Sequence, residues 1–139
     1  MILVDTNVLV AYVNSLDPNY AAACRVFDNA PEAATSPLVI AEFDYLIRTR
    51  FDGHSARQAI RAVLGDGLQI AEIGDQDVLQ AADFDEQFRD LNIGITDATL
   101  ALLAARLDTR DIATFDHRHF RAVKPLQGGE FRLLPADLD

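Results

Sequence analysis

The hydrophobic positions of this chain form short apolar runs separated by longer helical repeats. The first run, Ile2 to Val4, predicts a buried strand, and a helical pattern from Val8 to Tyr12 follows it. Runs of the same kind lie at residues 33–35, 68–71, 111–115 and 131–134. Short strands that alternate with helices are typical of a parallel sheet covered on both faces. The pattern predicts an α/β fold: one three-layer α/β/α domain over residues 1–139 with a central, mostly parallel five-stranded sheet.

Two of the predicted helices differ sharply in polarity. Residues 75–91 form an acidic helical pattern, with nine acids and only Arg89 in the stretch 66–97. Thr96 is the expected cap of the next helix, Asp97 to Leu107, which is apolar nearly all round. We therefore expect the second of these helices to be buried.

Asp5 directly follows the first predicted strand. Open parallel sheets bind ligands at the carboxyl ends of their strands, so a carboxylate in this position is a candidate ligand. Asp and Thr are also good helix caps, and either Asp5 or Thr6 could simply cap the helix that follows. Both interpretations stay open for Asp5 considered alone.

Asp116 occupies a similar position after the strand at residues 111–115. Because parallel strands end at the same edge of a sheet, Asp116 is expected near Asp5, with Thr114 projecting to the same side as Asp116. His117 and His119 come next, and an alternating pair could suggest zinc. Further zinc ligands are missing, so we expect these histidines in an exposed loop.

Glu42 and Asp97 are two further candidates. Glu42 lies in a helix that begins at Ser36-Pro37, and a helical wheel places it near the apolar Val39. An acid on that side must be paired, protonated or bound to metal, and a salt bridge to a neighbouring Arg is the alternative. Asp97 lies in the first turn of its helix, where the helix dipole favours an anion whatever its function.

Four carboxylates gathered at one point would repel each other without a cation. Ligand sets made only of oxygen suit a hard divalent ion, Mg²⁺ or Mn²⁺. Such ions serve phosphoryl chemistry by polarising a phosphate and by lowering the pKa of a bound water. The chain has no Gly-rich phosphate loop with a Lys, which argues against an enzyme that uses nucleoside triphosphates.

Charge and composition narrow the partners. The chain has 22 acidic and 12 basic residues and a net charge of −10, which argues against indiscriminate nucleic-acid binding. Four arginines of one stretch are candidate contacts to a nucleic-acid strand, or else a solvated helix face: Arg48, Arg50, Arg57 and Arg61. A single cysteine, no signal-peptide pattern and no long apolar run together predict a cytoplasmic protein without membrane association.

The four acids stand in motifs that resemble those of the PIN domain, above all in VapC-type toxins of bacterial toxin–antitoxin pairs. The motifs are Val4-Asp5-Thr6-Asn7, Glu42 in SPLVIAEFDYL, Asp97 in GITDATLALLAA, and Thr114 and Asp116 in IATFDHRHF. The resemblance covers essentially the whole chain, and no acid position departs from the pattern.

This resemblance implies an endoribonuclease toxin that cuts single-stranded RNA with Mg²⁺ or Mn²⁺. Its metal cluster would consist of Asp5, Glu42, Asp97 and Asp116, with Thr114 holding a metal-bound water and with Thr6 and Asn7 supporting Asp5. Metal-activated water would attack the phosphodiester in line and leave 5′-phosphate and 3′-hydroxyl ends. Family members form homodimers or larger assemblies with a cognate antitoxin, whose tail often places an Arg among the carboxylates.

Two other functions are compatible with the same residues. One is a PIN-like module that binds RNA or a protein without cutting, although the presence of all four acids argues against it. The other is a metal-dependent phosphatase of the haloacid-dehalogenase type with Asp5 as nucleophile. Such a phosphatase requires a second acid two residues later, where this chain has Asn7. It also requires a Lys near the site, and the only Lys of this sequence is Lys124.

Overall fold

Five short strands form one sheet at the centre of the computed structural model, which describes residues 1–138. The strands are β1 (Ile2–Val4), β2 (Ala33–Thr35), β3 (Gln69–Ile70), β4 (Asp111–Ala113) and β5 (Arg132–Leu134). Their order is β3-β2-β1-β4-β5, and every neighbouring pair is parallel. The predicted α/β class is confirmed, and the sheet is parallel throughout.

Helices connect the strands. They are α1 (Thr6–Tyr12), α2 (Tyr20–Asp28), α3 (Pro37–Arg50), α4 (Gly53–Gly65), α5 (Asp75–Gln87), α6 (Gly94–Arg106) and α7 (His117–Ala122), with a 3₁₀ turn at Arg89–Leu91. Connections between parallel strands are right-handed. The chain adds β2 and β3 on one side of β1 and then crosses the sheet to add β4 and β5 on the other side. The helices before β3 and those after it therefore cover opposite faces of the sheet. Across residues 1–138, none of the helices has the length and apolar character needed to cross a membrane.

The core lies around β1 and α6. Leu3 and Val4 are fully buried in the central strand, and α6 buries every side chain from Ala98 to Ala104, as its all-round apolar pattern predicts. The hydroxyl groups of Thr99 and Ser36 are hydrogen-bonded at 2.8 Å. This contact fixes the start of α6 against the cap of α3, so the helices that carry Asp97 and Glu42 are joined near their first turns.

Helix α6 begins three residues earlier than the sequence suggested, and Thr96 is not its cap. Asn92 and Gly94 both have positive φ angles, 50° and 85°, which turn the chain into the helix before Thr96 is reached. The side chain of Asp85 accepts a hydrogen bond from the Gly94 amide at 3.0 Å and serves the new helix end instead. Asp97 nevertheless stays in the first turn.

The chain after β4 also differs from the prediction. The strand ends at Ala113 rather than Phe115, because the Phe115 amide donates to the Asn7 side chain instead of to a neighbouring strand. Residues 117–122 then form helix α7 where we expected a loop. Phe120 anchors this short helix by packing edge-on against Phe131, with ring centroids 5.6 Å apart.

We expect Leu103→Ala to lower the free energy of unfolding by about 2–5 kcal/mol, because Leu103 is fully buried in α6 and its truncation leaves a cavity. Leu79→Ala, at a helical leucine that is 59% exposed, should change it by less than about 0.5 kcal/mol. Urea titrations of both variants measure the difference. Equal losses would contradict the assignment of α6 to the core.

Candidate active site

A cavity of about 490 Å³ opens at the carboxyl ends of β1 and β4. This is the place where the strand order reverses direction, and open parallel sheets bind their ligands there. All four acids singled out in the sequence line the cavity: Asp5, Glu42, Asp97 and Asp116. The fold thus brings together side chains from β1, α3, α6 and the end of β4.

Asp5 is the most deeply buried of these acids, with 6% of its surface exposed. Its Oδ1 accepts the Thr6 amide at 2.8 Å and so caps α1, while its Oδ2 accepts the Thr114 hydroxyl at 2.8 Å. Burial and the nearby charge of Asp97 raise the pKa of the Asp5 carboxyl to about 7, against the lowering effect of the Thr114 hydrogen bond. The two interpretations of Asp5 are therefore compatible, since it caps a helix and also lines the cavity.

Thr114 and Asn7 hold Asp5 in place. The Thr114 hydroxyl accepts hydrogen bonds from the Asp116 amide at 3.1 Å and from Asn7 Nδ2 at 3.4 Å, and it donates to Asp5. The Asn7 Oδ1 accepts the Phe115 amide at 3.0 Å. Asn7 thus supports Asp5 through Thr114 rather than by direct contact, and it ties α1 to the end of β4.

Glu42 faces the cavity from α3, but it is exposed and does not lie on the buried side of the helix. The expectation that Glu42 faces the apolar side of α3 was therefore wrong, although it lies one helical turn from the buried Val39. The expected alternative, a salt bridge to a nearby Arg, is also not seen within residues 1–138. Arg48 pairs instead with Asp44 at 2.9 Å. Glu42 is consequently a solvated carboxylate at the wall of the cavity.

Asp97 is held by His119, a residue whose position was predicted wrongly. His119 lies in α7 rather than in an exposed loop, and its Nδ1 is 2.7 Å from Asp97 Oδ2. Burial raises the pKa of the Asp97 carboxyl, while the His119 contact partly offsets this effect. His119 also lines the cavity. The spacing of three residues between Asp116 and His119 could have indicated this position, because in a helix it puts both residues on the same side.

Asp116 has a different basic partner. Arg118 Nε and Nη2 each lie 3.1 Å from one of its carboxylate oxygens, and Oδ1 also caps α7 by accepting the Arg118 amide at 3.2 Å. These contacts hold the pKa of the Asp116 carboxyl below its usual range. The Arg118 side chain is 83% exposed, so solvent weakens this ion pair and its guanidinium is free to move away.

The side chains fit a divalent cation by their chemistry. Four oxygen-donor acids share one cavity, and the buried Thr6 hydroxyl at its wall has no hydrogen-bond partner within residues 1–138. Within residues 1–138, however, no group of three or more Asp, Glu, His or Cys side chains is close enough together to hold a metal ion. Asp116 is paired with Arg118, so loading the site requires that guanidinium to move away.

The four arginine candidates separate into distinct environments. Arg50 lines the cavity and forms no ion pair within the part of the chain that the structure describes. Arg48 is engaged with Asp44, and Arg57 and Arg61 are exposed on α4 away from the cavity lining. Of the four, Arg50 is placed to meet a ligand in the cavity.

Comparison with known proteins shows the family of this chain. The family model of the PIN domain matches residues 2–125, and the chain therefore belongs to the PIN-domain family. It is 37% identical over 134 residues to Ribonuclease VapC26 of Mycobacterium tuberculosis, an alignment that covers 96% of this chain and 99% of that protein. The resemblance expected from the four motifs is confirmed.

Three solved structures share the fold. VapC20 of Mycobacterium tuberculosis, a toxin that cleaves the sarcin–ricin loop, has a TM-score of 0.76 at 22% identity over 84% of this chain and 90% of its own. VapBC2 of Rickettsia felis, bound to a DNA fragment from its promoter, scores 0.67 at 18% identity over 96% and 97%. FitAcB of Neisseria gonorrhoeae scores 0.58 at 20% identity over 86% and 91%.

The raised pKa of Asp5 predicts a pH-dependent stability. Between the ordinary value of 3.8 and about 7 the folded protein keeps a proton on Asp5 that the unfolded chain has lost, so stability falls as pH rises through this window. Without divalent ions, the free energy of unfolding should fall by roughly 1–3 kcal/mol more in the native protein than in Asp5→Asn from pH 4.5 to 7.5.

Urea unfolding at several pH values measures this difference. Asp83→Asn, at an exposed acid outside the cavity lining, is the matched control and should follow the native protein. Parallel curves for the native protein and Asp5→Asn would show that Asp5 ionises normally.

Proposed function

We propose that this protein is a metal-dependent endoribonuclease toxin that hydrolyses phosphodiester bonds in RNA. The observation that carries the proposal is the convergence of Asp5, Glu42, Asp97 and Asp116 on one cavity of a PIN fold. The 37% identity to Ribonuclease VapC26 over nearly the whole chain supports it. A nuclease is favoured over a phosphatase because Asn7 stands where the phosphatase has its second acid. The Asn7 side chain is hydrogen-bonded to the Thr114 hydroxyl and to the Phe115 amide.

Mg²⁺ or Mn²⁺ is the proposed cofactor, with Asp5 and Asp97 as principal ligands and Glu42 and Asp116 as further ones. When bound, the ion supplies positive charge that neutralises the phosphate and lowers the pKa of water. Hydrogen bonds from Thr114 and from the Thr6 amide already fix the Asp5 side chain, so the ion would bind with little further loss of side-chain entropy at Asp5. Glu42, which is solvated, is suited to receive a proton from the attacking water.

The same proposal includes two protein partners. The negative cavity suits a basic side chain from a cognate antitoxin, and the shared fold with VapBC2 and FitAcB supports such a partner. We also propose that the protein is a cytoplasmic homodimer when free and that it joins a larger assembly when the antitoxin binds. Light scattering of the protein alone and with the product of a neighbouring gene distinguishes these states.

Asp5→Asn should abolish RNA cleavage and cellular toxicity, because it removes a buried charge with little change in volume. Cleavage should also stop in EDTA and return with Mg²⁺ or Mn²⁺. Sequencing of RNA 5′ ends after brief induction measures the activity, with Asp83→Asn as the control that keeps it. Undiminished cleavage by Asp5→Asn would falsify the proposed site.

Arg50→Gln should raise the KM for RNA about 3- to 10-fold with a smaller effect on kcat, since Arg50 is the arginine of its stretch that lines the cavity. The slope of log KM against log salt should fall by about 0.7, the value for one lost contact to a single-stranded phosphate. Arg61→Gln removes an equal charge outside the cavity and is the control. If both variants behave alike, Arg50 has no direct contact with the strand.

A further inference from the structure

We propose that His119 is a positioning residue of the metal site, whose ring fixes the carboxylate of Asp97 for cation binding. This inference rests on the proposed function, because it assigns a role toward the ion. The observation behind it is the 2.7 Å contact between His119 Nδ1 and Asp97 Oδ2 at the wall of the cavity.

The contact joins two helices, α6 and α7. Asp97 lies in the first turn of α6, and His119 lies 22 residues later in α7. Their side chains are only 18% and 23% exposed, so little water competes for the hydrogen bond. Phe120, the next residue, is buried against Phe131 and fixes the helix that carries the ring. His119 therefore presents its nitrogen from a rigid mount.

The direction of the hydrogen bond follows from the partner. A carboxylate can only accept, so Nδ1 carries the hydrogen, and the ring holds one of the two Asp97 oxygens. An imidazole can donate this bond without carrying a charge, so it can remain in place beside a cation. Arg118, in contrast, brings a permanent charge to Asp116 and must leave when a cation enters.

The acids of the cavity differ in how firmly they are held. Asp5 is fixed by Thr114 and the Thr6 amide, whereas Glu42 has no such restraint. Without His119, the Asp97 carboxylate would lose this restraint on its orientation. Partners that orient a metal ligand typically contribute 10- to 100-fold to metal affinity. We expect the loss of the ring to be felt mainly as weaker metal binding.

Calorimetric titration of the full-length protein with Mn²⁺ tests the inference. His119→Leu should weaken Mn²⁺ binding about 10-fold or more. His119→Asn places an amide donor where Nδ1 stood and should stay within about 3-fold of the native affinity, whereas His119→Gln places its donor at the position of Nε2 and should bind as weakly as His119→Leu. His117→Leu, on the same helix but outside the cavity lining, is the matched control.

The comparison of Asn with Gln keeps the test decisive if His119→Leu does not fold. Cleavage should follow the same order at limiting Mn²⁺ and should recover in His119→Gln at saturating Mn²⁺. Equal affinity of the Asn and Gln variants, or tighter binding after loss of the ring, overturns the inference. Failure of the native protein to bind Mn²⁺, with Asp5→Asn as the reference for no binding, overturns the proposed function instead.

Discussion

The Asp5 carboxylate sits at the end of the central strand with only 6% of its surface exposed, and the surrounding structure is arranged around that buried charge. Removing a carboxylate from water is unfavourable unless donors replace the lost hydration. Thr114 and the first amide of α1 supply two such donors, and Asn7 holds Thr114 from the opposite side. The compensation is incomplete, because the pKa of Asp5 still rises to about 7. The site therefore stores an unfavourable interaction that the proposed cation would relieve.

Each remaining acid is balanced by different means. Asp97 is hydrogen-bonded to His119, Asp116 forms an ion pair with Arg118, and Glu42 is exposed to solvent. Two of these three compensations come from α7, a helix of six residues. The carboxylates thus have partners without a cation, and the most exposed of these partners, Arg118, is the one that the proposed cation would displace. Stability of the empty site and readiness for a ligand come from the same short segment.

Features of the structure that depend on neighbouring residues could be predicted from the sequence, whereas features that depend on contacts between distant residues could not. Asp5 and Asp116 were placed correctly because a strand and its end are visible in neighbouring residues, and parallel pairing then brings the ends together. The start of α6 was missed because it depends on the αL turn at Asn92 and on Asp85, a residue from the preceding helix. Helix α7 was missed for a similar reason. Its stability comes from Phe120 against Phe131, a contact that no local pattern contains, and the role of His119 was lost with it.

The bond between Asp5 and Thr114 joins residues 109 positions apart. During synthesis, Asp5 emerges first and has no hydroxyl partner until most of the chain has followed, and β1 lacks its neighbour β4 until the same moment. A growing chain therefore carries its first acid without an assembled cavity. The four acids of the proposed RNA-cleaving site therefore come together only after the strand that precedes Asp116 has joined β1.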